Sequence, residues 1–397
     1  MHLNQRIEIV RPVALALFVA ASLCCSASAD WSELNEQAKR AHQEGRAEEA
    51  ERKWQAALAV AEREGDEARQ VMTLNNLGEF HRAAGHLDAA LPYYLRALEI
   101  SERRMEPDDL QLALAYDQMA THLRLAGDLG RAMELYEKAL AVRERALGAD
   151  APEVADTQNN MGLLAFMMGD LDRAEALYRR SIAGIENRRL AQHPNMALAL
   201  TNLAQVRQAR GDLGQAEELF RRALDIWLAN SGPRSVRAAH SMNNLAEVLR
   251  LQGRTDEAEA QYTQALAAAE AALGPEAAEA ATVLNNRALL YRVARRYDEA
   301  QADYRRAIAI LETRVGAPNP ELAGMLFNLA RLHEERGDFA EASSWYRRSL
   351  EMYDSLPGPA HPDLAVVLER FAAAARSAGD DELALELDTR LRTLRAG

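Results

Sequence analysis

The sequence predicts an all-α solenoid of helix-turn-helix units, and three observations predict it. Alanine recurs at 90, 132, 174, 216, 258, 300, 342 and 384, each step 42 residues. Four residues after each alanine stands a large aromatic: Tyr94, Tyr136, Tyr178, Phe220, Tyr262, Tyr304 and Tyr346, failing only at Asp388. Five residues before each stands Gly85, Gly127, Gly169, Gly211, Gly253, Gly337 or Gly379, with Arg295 the one exception. Gly45, Ala50 and Trp54 fit the same frame at a spacing of 40, so about nine units, the last partial, occupy residues 33 to 391 of an array spanning 30–397.

The second unit shows why each element forms. Leu74, Leu77, Gly78 and His81 share one helical face, Gly85 ends that helix, and Asp88 is expected to cap the next. Leu91, Tyr94, Leu95 and Leu98 then continue with helical spacing. The residue at 78, 120, 162, 204, 246, 288, 330 and 372 is always glycine or alanine, which lets two helices approach closely while the aromatic fills the gap between units. One such pair cannot bury its apolar stripe, whereas stacked neighbours can, so the pattern has to repeat.

Composition narrows the function. Of 397 residues, 48% are apolar and 27% charged, as in a globular chain, and the formal net charge of −13 repels phosphate backbones and anionic membrane surfaces. Nucleic acid is therefore not an expected partner. Lysine occurs only at 39, 53 and 138, a bias that genomic base composition explains.

The first 29 residues follow a different logic. Arg6 and Arg11 precede an apolar run from Val13 to about Cys25, too short to span a bilayer, and Ala27-Ser28-Ala29 precede Asp30. This is the pattern of a secretory signal peptide cut after Ala29, so the mature chain is expected to be exported, periplasmic or secreted, with no membrane span. Leu23 and Cys24, which precede Cys24 and Cys25, are not the small residues a lipidation site requires. An uncleaved anchor is the other alternative. Cleavage removes both cysteines, and with them disulfides, thiolate metal ligands and a cysteine nucleophile.

The Leu77-Gly78 step, the alanines, Tyr94 and Ala97 resemble the tetratricopeptide repeat. The period of 42 rather than 34, the "NNLG" stretch and connectors such as "LGADAPEVAD" and "VGAPNPELAG" are similar to the kinesin light chain type of that repeat. The resemblance covers nearly the whole mature chain. It implies a right-handed superhelix that binds a protein partner along its concave face; the eight extra residues add about 12 Å of helix, shared between the two arms.

No signal for catalysis accompanies the array. No lysine follows a glycine, so no phosphate-binding loop of the G-x-x-x-x-G-K type exists, and neither a G-x-S-x-G nor an H-E-x-x-H motif is present. The nine histidines are scattered, and His81 and His333 occupy the repeat's tyrosine-like core position. No catalytic residue, metal site or cofactor is expected. The competing reading is an exported enzyme, or a small-ligand or sugar-binding component, with an unrecognised site.

One feature departs from the apolar pattern. Two positions before Gly78 and its equivalents stand Asn76, Gln118, Asn160, Asn202, Asn244, Asn286 and Asn328, although asparagine is a poor residue inside a helix. Six residues on stand Arg82, Arg124, Phe166, Gln208, Arg250, Arg292, Glu334 and Arg376. In the resembled family these positions line the groove, and the asparagines hold a bound peptide backbone. An amide serves a backbone without reading its side chains, and a guanidinium pairs carboxylates, so the expected ligand is an extended acidic peptide. The alternative is that the asparagines bridge adjacent helices and the arginines are solvated. The candidate partner-binding set is Asn76, Arg82, Arg124, Asn160, Asn202, Asn244, Arg250, Asn286, Arg292 and Asn328. Neither the partner nor the oligomeric state is written in the sequence.

Overall fold

The structure, a computed structural model, describes residues 30–188, 190–314, 318–356 and 361–396. The expected signal segment, its cleavage point after Ala29 and both cysteines lie outside the described residues. Eighteen helices run in sequence among the described residues, and no strand interrupts them. They are α1 Trp31–Gln43, α2 Ala47–Glu64, α3 Glu67–Ala83, α4 Leu87–Arg104, α5 Leu110–Leu125, α6 Leu129–Leu147, α7 Pro152–Met167, α8 Leu171–Asn187 and α9 Pro194–Ala209. There follow α10 Leu213–Ser231, α11 Val236–Leu251, α12 Thr255–Leu273, α13 Ala278–Val293, α14 Tyr297–Arg314, α15 Pro320–Arg336, α16 Phe339–Asp354, α17 Leu364–Ser377 and α18 Asp381–Ala396. Odd-numbered helices are the first arm of a hairpin and even-numbered helices the second.

Two compact units divide at Ile100 and Ser101. In the first, α1 packs on α2 and α2 on α3. In the second, each helix from α5 packs on the next, and α7 also touches α9, α11 touches α13, and α13 touches α15. This is the stacked-hairpin architecture that the 42-residue period predicts.

The small residue and the aromatic turn out to be a matched pair inside one hairpin. A Cβ built on Gly78 would lie 2.6 Å from the Tyr94 ring, and one on Gly162 would lie 2.7 Å from Tyr178. Tyr94, Tyr136, Tyr178, Phe220, Tyr262, Tyr304 and Tyr346 are all buried to 2% exposure or less, and the repeating alanines are buried with them. The ring therefore fills the space that the missing or short side chain leaves on the first helix.

The turn between the arms needs a left-handed residue. Gly253 has φ +77°, a region that costs a side chain roughly 1–2 kcal/mol, and Arg295, the exception in the sequence, adopts φ +60° at the equivalent position. The second arm then starts from an aspartate: Asp170 accepts from the Arg173 N–H at 3.0 Å, as do Asp128, Asp212 and Asp380 from the N–H three residues on. The expectation for Asp88 is corrected here, because α4 starts at Leu87 and Asp88 sits inside its first turn, where it faces the helix dipole instead of capping it.

A ladder of ion pairs joins successive second arms of the second unit. Lys138 pairs with Glu102 at 3.3 Å, Arg180 with Glu144 at 3.4 Å, Arg222 with Glu186 at 2.8 Å and Arg306 with Glu270 at 2.6 Å. Arg348 with Glu312 and Arg390 with Asp354 continue it. Among the described residues the one missing rung falls at Gln264, where the preceding unit offers Leu228, packed against the core.

Candidate binding groove

The candidate residues lie on the first arms. Every asparagine of the expected set except Asn328, which follows Phe327, stands after a second polar residue, and the structure shows what the pairing does. In the first unit, Asn76 Nδ2 donates to Asn35 Oδ1 at 3.1 Å, and Asn35, itself buried, also accepts from Trp54 Nε1 at 3.2 Å. In the second unit, Asn202 donates to Asn159 at 2.9 Å, Asn286 to Asn243 at 3.1 Å and Asn328 to Asn285 at 3.1 Å. Each of these three asparagines thus donates to the first asparagine of the doublet 43 residues earlier. Asn285 Nδ2 also donates to Asn286 Oδ1 at 3.2 Å, so one relay of amides crosses α15, α13 and α11.

The acceptors Asn35, Asn159, Asn243 and Asn285 are missing from the candidate set. The signal for Asn159, Asn243 and Asn285 is present in the sequence, since each opens an "NN" doublet one residue before the expected position, whereas Asn35 stands alone between Leu34 and Glu36.

Asn160 and Asn244 make no such bond, and of the two it is Asn244 that lines a hollow. The residue where its acceptor would stand is Thr201, and Asn244 makes no hydrogen bond among the described residues. It lines a cavity of about 570 Å³ with Phe166, Gln205, Gln208, Asn243 and Asn286, which come from α7, α9, α11 and α13. Ala209, Leu251, Leu289, Phe220 and Glu247 complete its wall. Four consecutive first arms therefore frame one hollow whose polar lining is almost wholly amide. Asn160 is half-buried next to Asn159.

The arginines differ from the expectation of free forks awaiting a carboxylate. Arg250 Nε donates to Glu247 at 2.8 Å, and the Tyr262 hydroxyl donates to the same carboxylate at 2.9 Å. In the first unit Arg82 holds Glu79 the same way, Nε at 2.8 Å. The carboxylate in turn holds both guanidinium groups above their usual range, and burial with the adjacent carboxylate raises the Tyr262 hydroxyl. Arg292 is buried to 7% exposure and pairs with Glu335 of the next hairpin. Arg124 is half-buried beside Tyr136. A carboxylate three residues away on the same helix, or one unit away, competes for Arg82, Arg250 and Arg292 before any partner arrives.

The two histidines at the repeat's tyrosine-like position pack within the array. His81 stacks on Tyr93 with ring centroids 5.4 Å apart, and His333 is buried, its imidazole pKa lowered by that burial. Among the described residues no group of three histidine, cysteine, aspartate or glutamate side chains converges as a metal site, and no helix is long and apolar enough to cross a membrane.

Hairpins stacked around a repeated small-residue and aromatic contact, with an inner wall of first arms, define a helical-repeat interaction module. The family model described as tetratricopeptide repeat matches residues 195–271, 245–313, 279–355 and 321–396, and that of the MalT-like TPR region matches 37–231. The chain belongs to the tetratricopeptide repeat family, whose arrays mediate protein–protein interaction. No curated protein matches it. Among solved structures, a tetratricopeptide repeat protein from Parabacteroides merdae is 17% identical, with TM-score 0.52, covering 75% of this chain and 98% of its own. Aspartyl phosphate phosphatase F from Bacillus subtilis is 11% identical, with TM-score 0.57, covering 86% and 98%. At these identities the likeness is one of fold. BtubC from P. vanneervenii is 25% identical over 60% of this chain and 93% of its own, with TM-score 0.47.

Proposed function

We propose that the groove of the second unit holds an extended segment of a protein partner and that the chain carries out no reaction of its own. The observation that carries this reading is Asn244, an amide left without a partner among the described residues in the wall of a 570 Å³ hollow framed by four first arms. An asparagine inside a helix weakens it, and at Asn202, Asn286 and Asn328 that weakness is offset by an inter-unit hydrogen bond. At Asn244 the amide's donors and acceptor remain for a ligand backbone, with Gln205 and Gln208 beside it. The acidic character first expected of the segment has no support in this groove, because Arg250 and Arg292 already meet Glu247 and Glu335.

The test is a selection of twelve-residue peptides from a random display library on the immobilised protein. Peptides that bind in the groove lose about fivefold in affinity on Asn244→Ala, the worth of one backbone hydrogen bond. A selection that returns nothing, or only peptides indifferent to Asn244→Ala and Gln208→Ala, overturns the reading.

The proposal extends to location. The basic, apolar and small-residue order of residues 1–29 supports export and cleavage after Ala29. N-terminal sequencing of native material that begins at Asp30 agrees with it, and a start at Met1 does not.

A further inference from the structure

The last residue of each first arm from α5 to α13 is Leu125, Met167, Ala209, Leu251 and Val293. The four larger ones are 42%, 47%, 43% and 60% exposed, and Ala209 is exposed between them. An unbroken apolar row over five units stands out against the equivalents that follow it, Glu335 and Ser377. Leu251 and Ala209 line the same hollow as Asn243, Asn244 and Asn286, so the row is one flank of the groove and the amides are the other. The two tracks lie seven residues apart on each helix, about 10 Å.

We propose that the segment bound here adopts a polyproline II conformation, is uncharged, and presents one apolar side chain every third residue to this row. The inference rests on the groove reading above and adds its register.

The spacing selects the conformation. First arms joined side chain to side chain, as α11 and α13 are by the Asn286–Asn243 hydrogen bond, pack at about 8–10 Å between axes. Three residues of polyproline II advance about 9.3 Å and bring the same face round again. A β-strand covers a similar distance in three residues, but its third side chain points to the opposite face. Only the former can set an apolar residue against Leu251 and the next against Val293. Polyproline II also leaves every backbone donor and acceptor unpaired, which matches the amides of Asn244, Gln205 and Gln208 that line the same hollow. A backbone running midway between the tracks is about 5 Å from each.

Charge complementarity sets the composition. Glu247 is the one charged residue lining the hollow among the described residues, and Arg250 and Tyr262 hold it. A charged partner residue would give up its water for no free counter-charge, so an uncharged segment is the complement.

Three synthetic twelve-residue peptides test this by fluorescence anisotropy: four repeats of Leu-Ser-Pro, a peptide of the same composition with leucines at every second position, and four repeats of Leu-Asp-Pro. The first is expected to bind about tenfold more tightly than either of the others. Leu251→Ser and Val293→Ser each weaken it by about fivefold or more and narrow the gap to the second peptide. Melting temperatures of these variants stay at the wild-type value, since both side chains are exposed. Equal binding of the first two peptides, or indifference to both serine variants, overturns the register. If Asn244→Ala still weakens all three alike, the groove reading stands while the register falls. If none of the three binds, the register falls; if the library selection also yields no peptide sensitive to Asn244→Ala, the groove reading falls with it.

Discussion

Asn286 donates to Asn243 across two first arms at 3.1 Å, while Asn244, one residue from that acceptor, donates to nothing in the described chain. Two asparagines in equivalent positions of adjacent units therefore do different work, and a single residue, Thr201, separates them. Stability and binding should part along this line. Asn286→Ala is expected to cost about 1 kcal/mol of stability, with a coupling of similar size to Asn243→Ala in a double-mutant cycle. Asn244→Ala should lower stability by less than about 0.5 kcal/mol. Thr201→Asn supplies the missing acceptor, so it should raise the melting temperature and weaken peptide binding together. Denaturant titration of the variants, with thermal melts and peptide binding for Thr201→Asn, checks all of these.

Arg292 is a second point where folding and binding separate. Its guanidinium is buried against Glu335, whose side chain is 34% exposed, so Arg292→Ala should destabilise by roughly 1–3 kcal/mol. A solvated arginine would cost almost nothing. Chemical denaturation of Arg292→Ala beside a surface control such as Arg131→Ala distinguishes the two.

Arg295 holds a left-handed backbone that glycine holds in the equivalent turns. Arg295→Gly should therefore stabilise by about 1 kcal/mol, and Gly253→Ala should destabilise by a similar amount. Thermal melts of the pair, read against each other, test the assignment. Opposite signs are expected.

The ion-pair ladder should matter modestly and respond to salt. A double-mutant cycle with Arg306→Gln and Glu270→Gln, paired at 2.6 Å with both side chains partly exposed, should give a coupling of about 0.2–1 kcal/mol. Repeating the cycle in 1 M salt, where the screening length is about 3 Å, should reduce it sharply. An unchanged coupling would mean that packing, not charge, joins these arms.

Acid should loosen the array through His333. Burial lowers its pKa below the ordinary value of about 6.5, so the unfolded chain takes up the proton more readily than the folded one. The stability tied to the neutral imidazole is complete above that ordinary pKa and is lost as the pH falls below it toward the lowered value. His333→Leu, which copies the leucines found at the equivalent positions 123 and 249, should remove part of the melting-temperature drop between about pH 7.5 and 5.5.

Most of the fold is legible in the sequence because repetition amplifies weak signals. One alanine, one aromatic or one glycine says little; at a constant interval of 42 they define a hairpin, its turn and its stacking. The exception is as informative as the rule, since Arg295 breaks the glycine pattern and still takes the glycine's conformation. Asp88 looks like a cap and is not one, because the capping aspartates of other units, such as Asp170, stand two positions earlier in the frame, where this unit has His86.

The candidate site is legible only in part. Periodicity places a side chain on a face, so Asn244, Asn286, Arg250 and Arg292 can be assigned to the first arms from sequence alone. It does not say which partner a polar group finds, because that depends on atoms one helix away. Asn243 and Glu335 lie 43 residues from Asn286 and Arg292, one unit plus one residue, and only stacking brings them into hydrogen-bonding range. The sequence alone determined the period, the hairpin and the amide-bearing face, since each follows from local spacing. Tertiary structure alone decided which amides and arginines are consumed in joining the units and that Asn244 is left unpaired in the wall of the groove, because a hydrogen bond depends on a distance that spacing along the chain does not contain.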